Sequence, residues 1–530
     1  VVGVFNFVRR NVYQDSVTLM RLGRDLEAVA GVERAAAMMG TPANRELLSQ
    51  AGLLDLDGET AGPADLVIAV VAETAAAAQR AREAAEAALA TRMAAPTSGP
   101  TRPRTLAGGL RALPDATLAL ISVPGAYAGA EARRALDAGL HVMLFSDNVP
   151  LATEVELKRV ASERGLFVMG PDCGTAIVAG VPLGFANAVP RGRVGLVAAS
   201  GTGLQEVSCR LAAEGEGVSH AIGVGSRDMS DAVGGVMTLA ALHALAEDAG
   251  TEVIVVIGKP PGPAVAARLA EAMSALGTPS VLHFAGLAGP GTADAHAVAP
   301  AASHPPPRAG RAPLATTRTL EDAALAAVAL ARGETPRAVE FSQPMVQVQT
   351  LVAAQAAALA SGQRFVRGLY SGGTLAWEAV ALLSARFPDV AVDVQGNGPG
   401  HRVVDLGDDA FTVGRPHPMI DGAVRREWIG RAAADPTTAV LLLDMVLGYG
   451  AHRDPAAELA PALAAARRTA TAAGRGLALV ASVTGTEHDP QGRSRQAAAL
   501  ERAGVLVMDS NAQAARLAGL IAARAGSRVA

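Results

Sequence analysis

The sequence predicts an α/β protein made of several doubly wound parallel sheets, Rossmann-like and flavodoxin-like, with a small α/β domain at its N-terminus. Three observations predict this. Short runs of Val, Leu and Ile alternate with Ala-rich helical stretches through the 530 residues, an order that buries parallel strands between helices. Half of the residues are hydrophobic but only 3% are aromatic, so the cores are Ala, Val and Leu packing. Several apolar runs also end in Gly, Ser, Thr or Pro turns, at the carboxyl ends of strands where such sheets hold ligands.

The N-terminal domain is expected over 1–95. Its strands are Val1 to Val8, Arg34 to Gly40 and Asp65 to Val71; its helices are Val17 to Val29 and Thr74 to Met93. Where a dinucleotide-binding unit would show G-x-G-x-x-G, this chain shows R-R-N-V-Y-Q-D-S, so that fingerprint is absent. Arg9 and Arg10 are either anion holders or solvated surface charge. A Pro/Thr/Ser/Gly linker, Ala95 to Arg104, leads to a Rossmann domain over 105–190. Its strands are Thr117 to Val123, His141 to Phe145 and Leu166 to Met169; its helices are Tyr127 to Ala138 and Leu151 to Arg164. The turn that leaves its last strand carries Asp172 and Cys173. Cys173 is either a small buried hydrophobe or the wall of a site, and Asp172 either lines that site or stabilises the turn.

A flavodoxin-type domain follows over 192–300. Its first strand, Val194 to Ala199, runs into Ser200, Gly201, Thr202 and Gly203, and a helix begins at Leu204. Free first-turn amides, the helix dipole and the glycines together make an anion site; the alternative is an ordinary βα turn capped by Ser200 or Thr202. Lys259 ends the strand Glu252 to Ile257 and is either a phosphate neutraliser or a surface lysine. A linker with helices covers 301–360, and a last domain covers 363–525. That domain opens on a second copy of the turn: Ser371, Gly372, Gly373 and Thr374 follow a strand and precede a helix. Two such helix starts suggest two half-sites facing one shared anion.

The richest polar stretch, His401 to Asp421, is expected to be a loop between strands. It is either a Pro-stiffened solvated loop or a substrate site in which Arg415 grips a carboxylate or phosphate and His417 handles protons. Arg493, beyond the strand Leu477 to Val483, is a further substrate-binding candidate. No Cys or His spacing matches a zinc site, so no metal is expected.

The net charge of −4, with acids and bases interspersed, argues against a nucleic-acid partner. No apolar run reaches the roughly 18 residues of a membrane span and no signal peptide is read, so a cytoplasmic protein is expected. Cys173 and Cys209 are the only cysteines, too few for a disulfide framework.

These residues carry a resemblance. The pieces S-V-P, A-L-D-A-G, E-R-G-L-F-V-M-G-P-D-C-G and V-G-L-V-A-A-S-G-T-G-L-Q-E-V resemble the α subunit of succinyl-CoA synthetase and other NDP-forming acyl-CoA ligases. Over nearly its full length the chain resembles the FdrA proteins, through G-T-P-A-N, F-S-D-N-V, G-P-D-C-G, R-D-M-S, K-P-P, Y-S-G-G-T-L, D-L-G-D-D, V-G-R-P-H-P-M-I-D and T-G-T-E in that order. The resemblance implies a succinyl-CoA-synthetase-like fold. It also implies that two facing helix starts, Ser200–Gly201–Thr202 and Ser371 to Thr374, hold a phosphate exchanged against an acyl group.

It implies, further, a subunit of an oxamate carbamoyltransferase of allantoin (purine) breakdown, which turns oxalurate and phosphate into oxamate and carbamoyl phosphate. The implied partners are the other subunits of a hetero-oligomeric transferase, with coupling to carbamate kinase; a homodimer is compatible. The alternatives are a subunit of a thioester-forming CoA ligase and a non-catalytic scaffold that binds a metabolite. Three departures from the synthetases bear on this. The synthetase CoA loop is absent from the N-terminus, which leaves coenzyme A doubtful. Only A-D-A-H-A-V, around His296, stands where the synthetases carry the phosphohistidine segment G-H-A-G-A. Nothing resembles an ATP-grasp domain.

Overall fold

The computed structural model describes residues 3–12, 14, 16–93, 103–285, 312–392, 398–412 and 416–527. The chain divides into two compact units, one of Val1–Ala112 with Asp409–His417, the other of Leu113–Asp408 with Pro418–Ala530.

The first unit contains β1 (Gly3–Arg9), α1 (Ser16–Glu27), β2 (Val32–Met39), α2 (Pro42–Gln50), α3 (Leu56–Glu59), β3 (Leu66–Ala72), α4 (Ala75–Met93) and α5 (Leu106–Ala112). Its sheet runs β1-β3-β2 and is antiparallel throughout. All seven residues of β3 are buried because both of its faces are covered. Ile68 and Val70 pack with Leu19, Leu26 and Ala81 on one side; Val67 and Val71 pack with Leu48 and Leu53 on the other.

The second unit begins with β4 (Leu118–Ile121), α6 (Gly125–Asp137), β5 (His141–Leu144), α7 (Leu151–Glu163) and β6 (Val168–Met169), a small parallel sheet. A seven-stranded sheet follows. It is built from β7 (Thr175–Val178), β8 (Val181–Gly184), β9 (Arg191–Ala198), α8 (Gly201–Ala213), β10 (Val218–Gly223), α9 (Val236–Glu247), β11 (Val253–Gly258), α10 (Pro263–Ala275), β12 (Ser280–Phe284) and β13 (Leu314–Thr317). The order is β13-β12-β11-β9-β10-β7-β8, parallel except for the β7–β8 hairpin and its junction with β10. The sheet is thus wider than the sequence boundaries suggest. The hairpin comes from the stretch read as the preceding domain, and β13 comes from the stretch read as a linker.

Helices α11 (Leu320–Ala331) and α12 (Met345–Ala357) lead to a six-stranded parallel sheet. Its elements are β14 (Phe365–Tyr370), α13 (Gly373–Ser384), β15 (Val390–Val392), β16 (His401–Asp405), α14 (Asp409–Thr412, which belongs to the first unit), α15 (Ala423–Ala434), β17 (Thr438–Val446), α16 (Pro455–Ala472), β18 (Ala478–Thr484), α17 (Arg493–Arg502), β19 (Leu506–Met508) and α18 (Asn511–Gly526). The order is β15-β16-β14-β17-β18-β19. The expected loop over His401 to Asp421 is corrected here. Its first five residues are β16, paired in parallel with β14, and His401, Val403 and Val404 are buried in the core. His401 itself is 4% exposed, stacks on Phe387 and accepts a hydrogen bond from the Val366 amide.

One continuous apolar core joins the two large sheets through α8, α11, α13 and α18. In both sheets the first strand lies inside, and the chain lays later strands on either side of it. The places where strand order reverses, β9 beside β11 and β14 beside β17, are the crevices where open α/β sheets bind ligands.

Candidate functional site

The two Ser-Gly turns meet. Ser200 is the N-cap of α8, and its Oγ accepts a hydrogen bond from the Gly203 amide at 2.9 Å. The same oxygen lies 2.5 Å from Thr374 Oγ1 in the first turn of α13. A Cβ added at Gly372 would stand 2.8 Å from the Thr202 side chain, so a glycine is what lets the two turns touch. Two helix N-termini, each carrying partial positive charge, are therefore packed against one another. That is unfavourable without an anion nearby. The first-turn amides of Gly201, Thr202, Gly373 and Thr374 make no hydrogen bond to any described residue.

One anion is built in. Asp444, buried in β17, accepts from the Ser371 amide at 2.8 and 3.0 Å, from Ser371 Oγ at 3.0 Å and from the Gly372 amide at 2.9 Å. The Arg425 guanidinium on α15 bonds both the carboxylate and the main-chain oxygen of Asp444. This corrects the expectation for Ser371 and Gly372. Their donors are consumed by the protein itself, and α13 offers a ligand the next two amides, those of Gly373 and Thr374.

Around those amides stand a cation and an acid. Lys259 follows β11, is exposed, and places its Nζ 5.8 Å from the Trp377 ring centroid on α13. Asp405 ends β16, and a Cβ added at Gly373 would sit 2.6 Å from its Oδ2. Burial pushes the Asp405 carboxyl up to about 6; the nearby Asp444 and Asp408 raise it further, while the Gly407 amide and Lys259 oppose. Sequence reasoning assigned neither Asp405 nor Asp444 to the site. Their signal was legible: each sits at or near the carboxyl end of an apolar strand of a parallel sheet.

The other expected residues are placed as follows. Cys173 is 2% exposed in a small apolar cluster with Met143, Met169 and Ala176, and burial pushes its thiol up to about 12. It is the buried hydrophobe, and its assignment to the site is withdrawn. Asp172 is exposed, with φ +57°, and its amide donates to Ser146 O. Their loop still approaches α8 through Thr175, whose Oγ1 would lie 3.3 Å from a Cβ at Gly201. Arg493 starts α17 and donates to Val483 O, with Asp509 at 3.9 Å; neither contact reaches the two turns. His417 is half-buried. Arg415 and His296 lie outside the described residues.

Behind the turns a buried polar layer ties the two sheets. Glu206 on α8 accepts from Thr484 Oγ1 and from the Asn511 amide. Glu378 on α13 accepts from the Leu320 amide and from Asn511 Nδ2, each at 2.7 Å. The glutamate that follows each turn is thus a clamp between sheets, turned away from solvent. Burial pushes Glu378 up to about 8.

Residues 369–521 match the CoA-ligase family model, and residues 3–103 match the model described as AllF, heavy metal-associated domain. The chain is 38% identical over 523 residues, 96% of its length and 97% of the relative's, to the uncharacterized protein YahF of Escherichia coli. The chain belongs to the FdrA/AllF family. This FdrA/AllF chain is a CoA-ligase-like protein that carries an AllF domain. It is also 33% identical over 190 residues to the α subunit of an ADP-forming succinate–CoA ligase of Staphylococcus aureus, covering 34% of this chain and 61% of that one. Among solved structures, a dinucleotide-forming acetyl-coenzyme A synthetase of Ca. Korarchaeum cryptofilum aligns over 78% of this chain and 84% of its own, at 15% identity and a TM-score of 0.28.

One group these relationships bring to mind, a metal, can be tested on the FdrA/AllF chain. Residues 3–103 contain neither Cys nor His, so the AllF domain offers a metal no thiolate or imidazole ligand. Among the described residues no group of three or more His, Cys, Asp or Glu stands where it would hold a metal. The loop after β5 packs closely on the start of α6, where a Cβ at Gly125 would collide with the carbonyl oxygens of Asp147 and Asn148. No helix among the described residues is long and apolar enough to cross a membrane.

Proposed function

We propose that the chain is the phosphate-binding subunit of a carbamoyltransferase, converting oxalurate and phosphate into oxamate and carbamoyl phosphate. The observation that carries this reading is the direct contact of two helix starts at Ser200 and Thr374, with first-turn amides left over on both. Such a pair suits a small dianion and needs no covalent enzyme intermediate.

In the proposed reaction a phosphate oxygen attacks the ureido carbonyl of oxalurate. The C–N bond to the oxamate nitrogen breaks, and the proton lost by phosphate ends on that nitrogen. The amides of Gly201, Thr202, Gly373 and Thr374 hold the phosphate, Lys259 offsets its charge, and Asp405 relays the proton. Catalysis by the whole assembly calls for partner subunits, and its product suits a carbamate kinase.

A second reading, a subunit of an acyl-CoA ligase, is favoured by the CoA-ligase match over residues 369–521. The experiment that separates them is reconstitution with the partner subunits. Oxalurate and phosphate should yield carbamoyl phosphate, read as ATP through carbamate kinase and ADP, without added coenzyme A. Turnover only with coenzyme A would favour the ligase, and turnover with neither would leave a metabolite-binding scaffold.

A further inference from the structure

Trp377 is one of only two tryptophans in a chain that is 3% aromatic, and it stands in the open. It is 42% exposed, whereas Trp428 is 7% exposed. Its place on α13 is specific. Trp377 follows Gly373 by four positions and Thr374 by three, so its side chain stems from the same side of the helix. Long helical side chains lean toward the N-terminus of their own helix, which brings the indole back toward the turn.

There it meets Lys259. The ammonium lies 5.8 Å from the Trp377 ring centroid, within the range at which an indole face attracts a cation. The root of that lysine is fixed as well. Pro260 and Pro261 follow it, and a residue before proline is held near extended geometry. The Gly262 amide then ties the loop to Met229 O. A lysine on an open surface is otherwise free about its side-chain bonds, and an arriving anion would have to order it. Here the prolines set the stem and the indole sets the tip. The Lys259 charge also reaches Asp405, whose carboxylate stands beside Gly373, so the ammonium acts on the turn whose amides are left over.

We infer that Trp377 is a positioning residue for the anion site: its indole face holds the Lys259 ammonium at the mouth of the α13 turn, so that a bound phosphate meets a cation already in place. This rests on the proposed phosphate site. The indole acts through Lys259 and makes no contact with the phosphate itself. What matters at position 377 is therefore an aromatic face, with apolar bulk alone insufficient.

The test is a calorimetric titration of the full chain with inorganic phosphate, run as a double-variant cycle. Trp377→Leu keeps apolar bulk and removes the aromatic face. It should weaken phosphate binding about two- to fivefold, the scale of an exposed cation–π contact. Trp377→Phe retains a face and should recover part of the loss. Lys259→Met should weaken binding further, and in that background Trp377→Leu should change nothing more, because no ammonium is left to hold. Thermal unfolding identifies the folded variants, and Trp377→Gln closes the same cycle where the leucine variant does not fold. A tryptophan that merely packs on its helix would lower affinity equally with and without Lys259. That additive result would overturn the positioning role alone, as would a Trp377→Leu chain that binds phosphate like the wild type. A wild type that binds no phosphate would overturn the phosphate reading beneath it as well.

Discussion

Ser200 Oγ and Thr374 Oγ1 stand 2.5 Å apart although 174 positions separate them in the chain. Each opens a helix, and the contact holds the two sheets' ligand crevices together. Ser200 also caps α8 through the Gly203 amide. Ser200→Ala therefore loses a cap and an inter-sheet hydrogen bond, and should cost about 1–2 kcal/mol of stability. A lowered midpoint in urea unfolding checks this, and an unchanged midpoint would show the contact to be idle.

Asp444 is predicted to matter far more for folding. Its carboxylate neutralises α13's first donors and the buried Arg425 guanidinium together. Asp444→Ala leaves that cation uncompensated, a change that typically costs about 3–5 kcal/mol. A double variant with Arg425→Met should recover part of the loss, measured by thermal unfolding. A single variant as stable as the wild type would contradict the assignment.

The proposed proton relay has a pH signature. With Asp405 raised to about 6, its carboxylate form fills in as pH rises through that value. Transferase activity that needs the carboxylate should climb through the same range and level off above it. Asp405→Asn should remove the limb along with most of the rate. A limb that persists in the Asn variant would assign the proton to another group.

Glu378 predicts a stability effect of opposite use. Its folded carboxyl titrates at about 8 against 4.5 when unfolded. The folded chain thus holds a proton that the unfolded chain has released, so this group's contribution is fully present below 4.5 and is lost as pH rises toward about 8. Glu378→Gln keeps the shape and removes the titration. Its stability relative to wild type should grow between about pH 5 and about pH 9. Parallel pH profiles for the two proteins would argue against the buried proton.

Much of this was legible in the sequence because it depends on local pattern. The strand-turn-helix at Val194 to Leu204 and its copy at Ser371 are short, and their amide geometry follows from the turn itself. The βα alternation likewise gave the parallel sheets. What was not legible depends on pairing across the chain. The β7–β8 hairpin looks like part of the preceding domain because its partner, β10, comes some 40 residues later. Whether Ser371 serves a ligand or Asp444 depends on the lateral register of β14 and β17, which no local pattern encodes. Arg425 sits on a helix whose burial comes only with the sheet beneath it. Cys173 shows the converse. A cysteine at a strand's carboxyl end looks poised for chemistry until packing seals it.

The central claim is that one phosphate is held by both helix starts at once, and calorimetric titration of the purified chain with inorganic phosphate tests it most directly. The account predicts one phosphate per chain. Binding should be lost in Gly373→Val, whose side chain meets Asp405, and equally in Gly201→Val on the opposite helix, with both variants folded. Phosphate binding that persists in either folded variant, or a wild type that binds none, would contradict it.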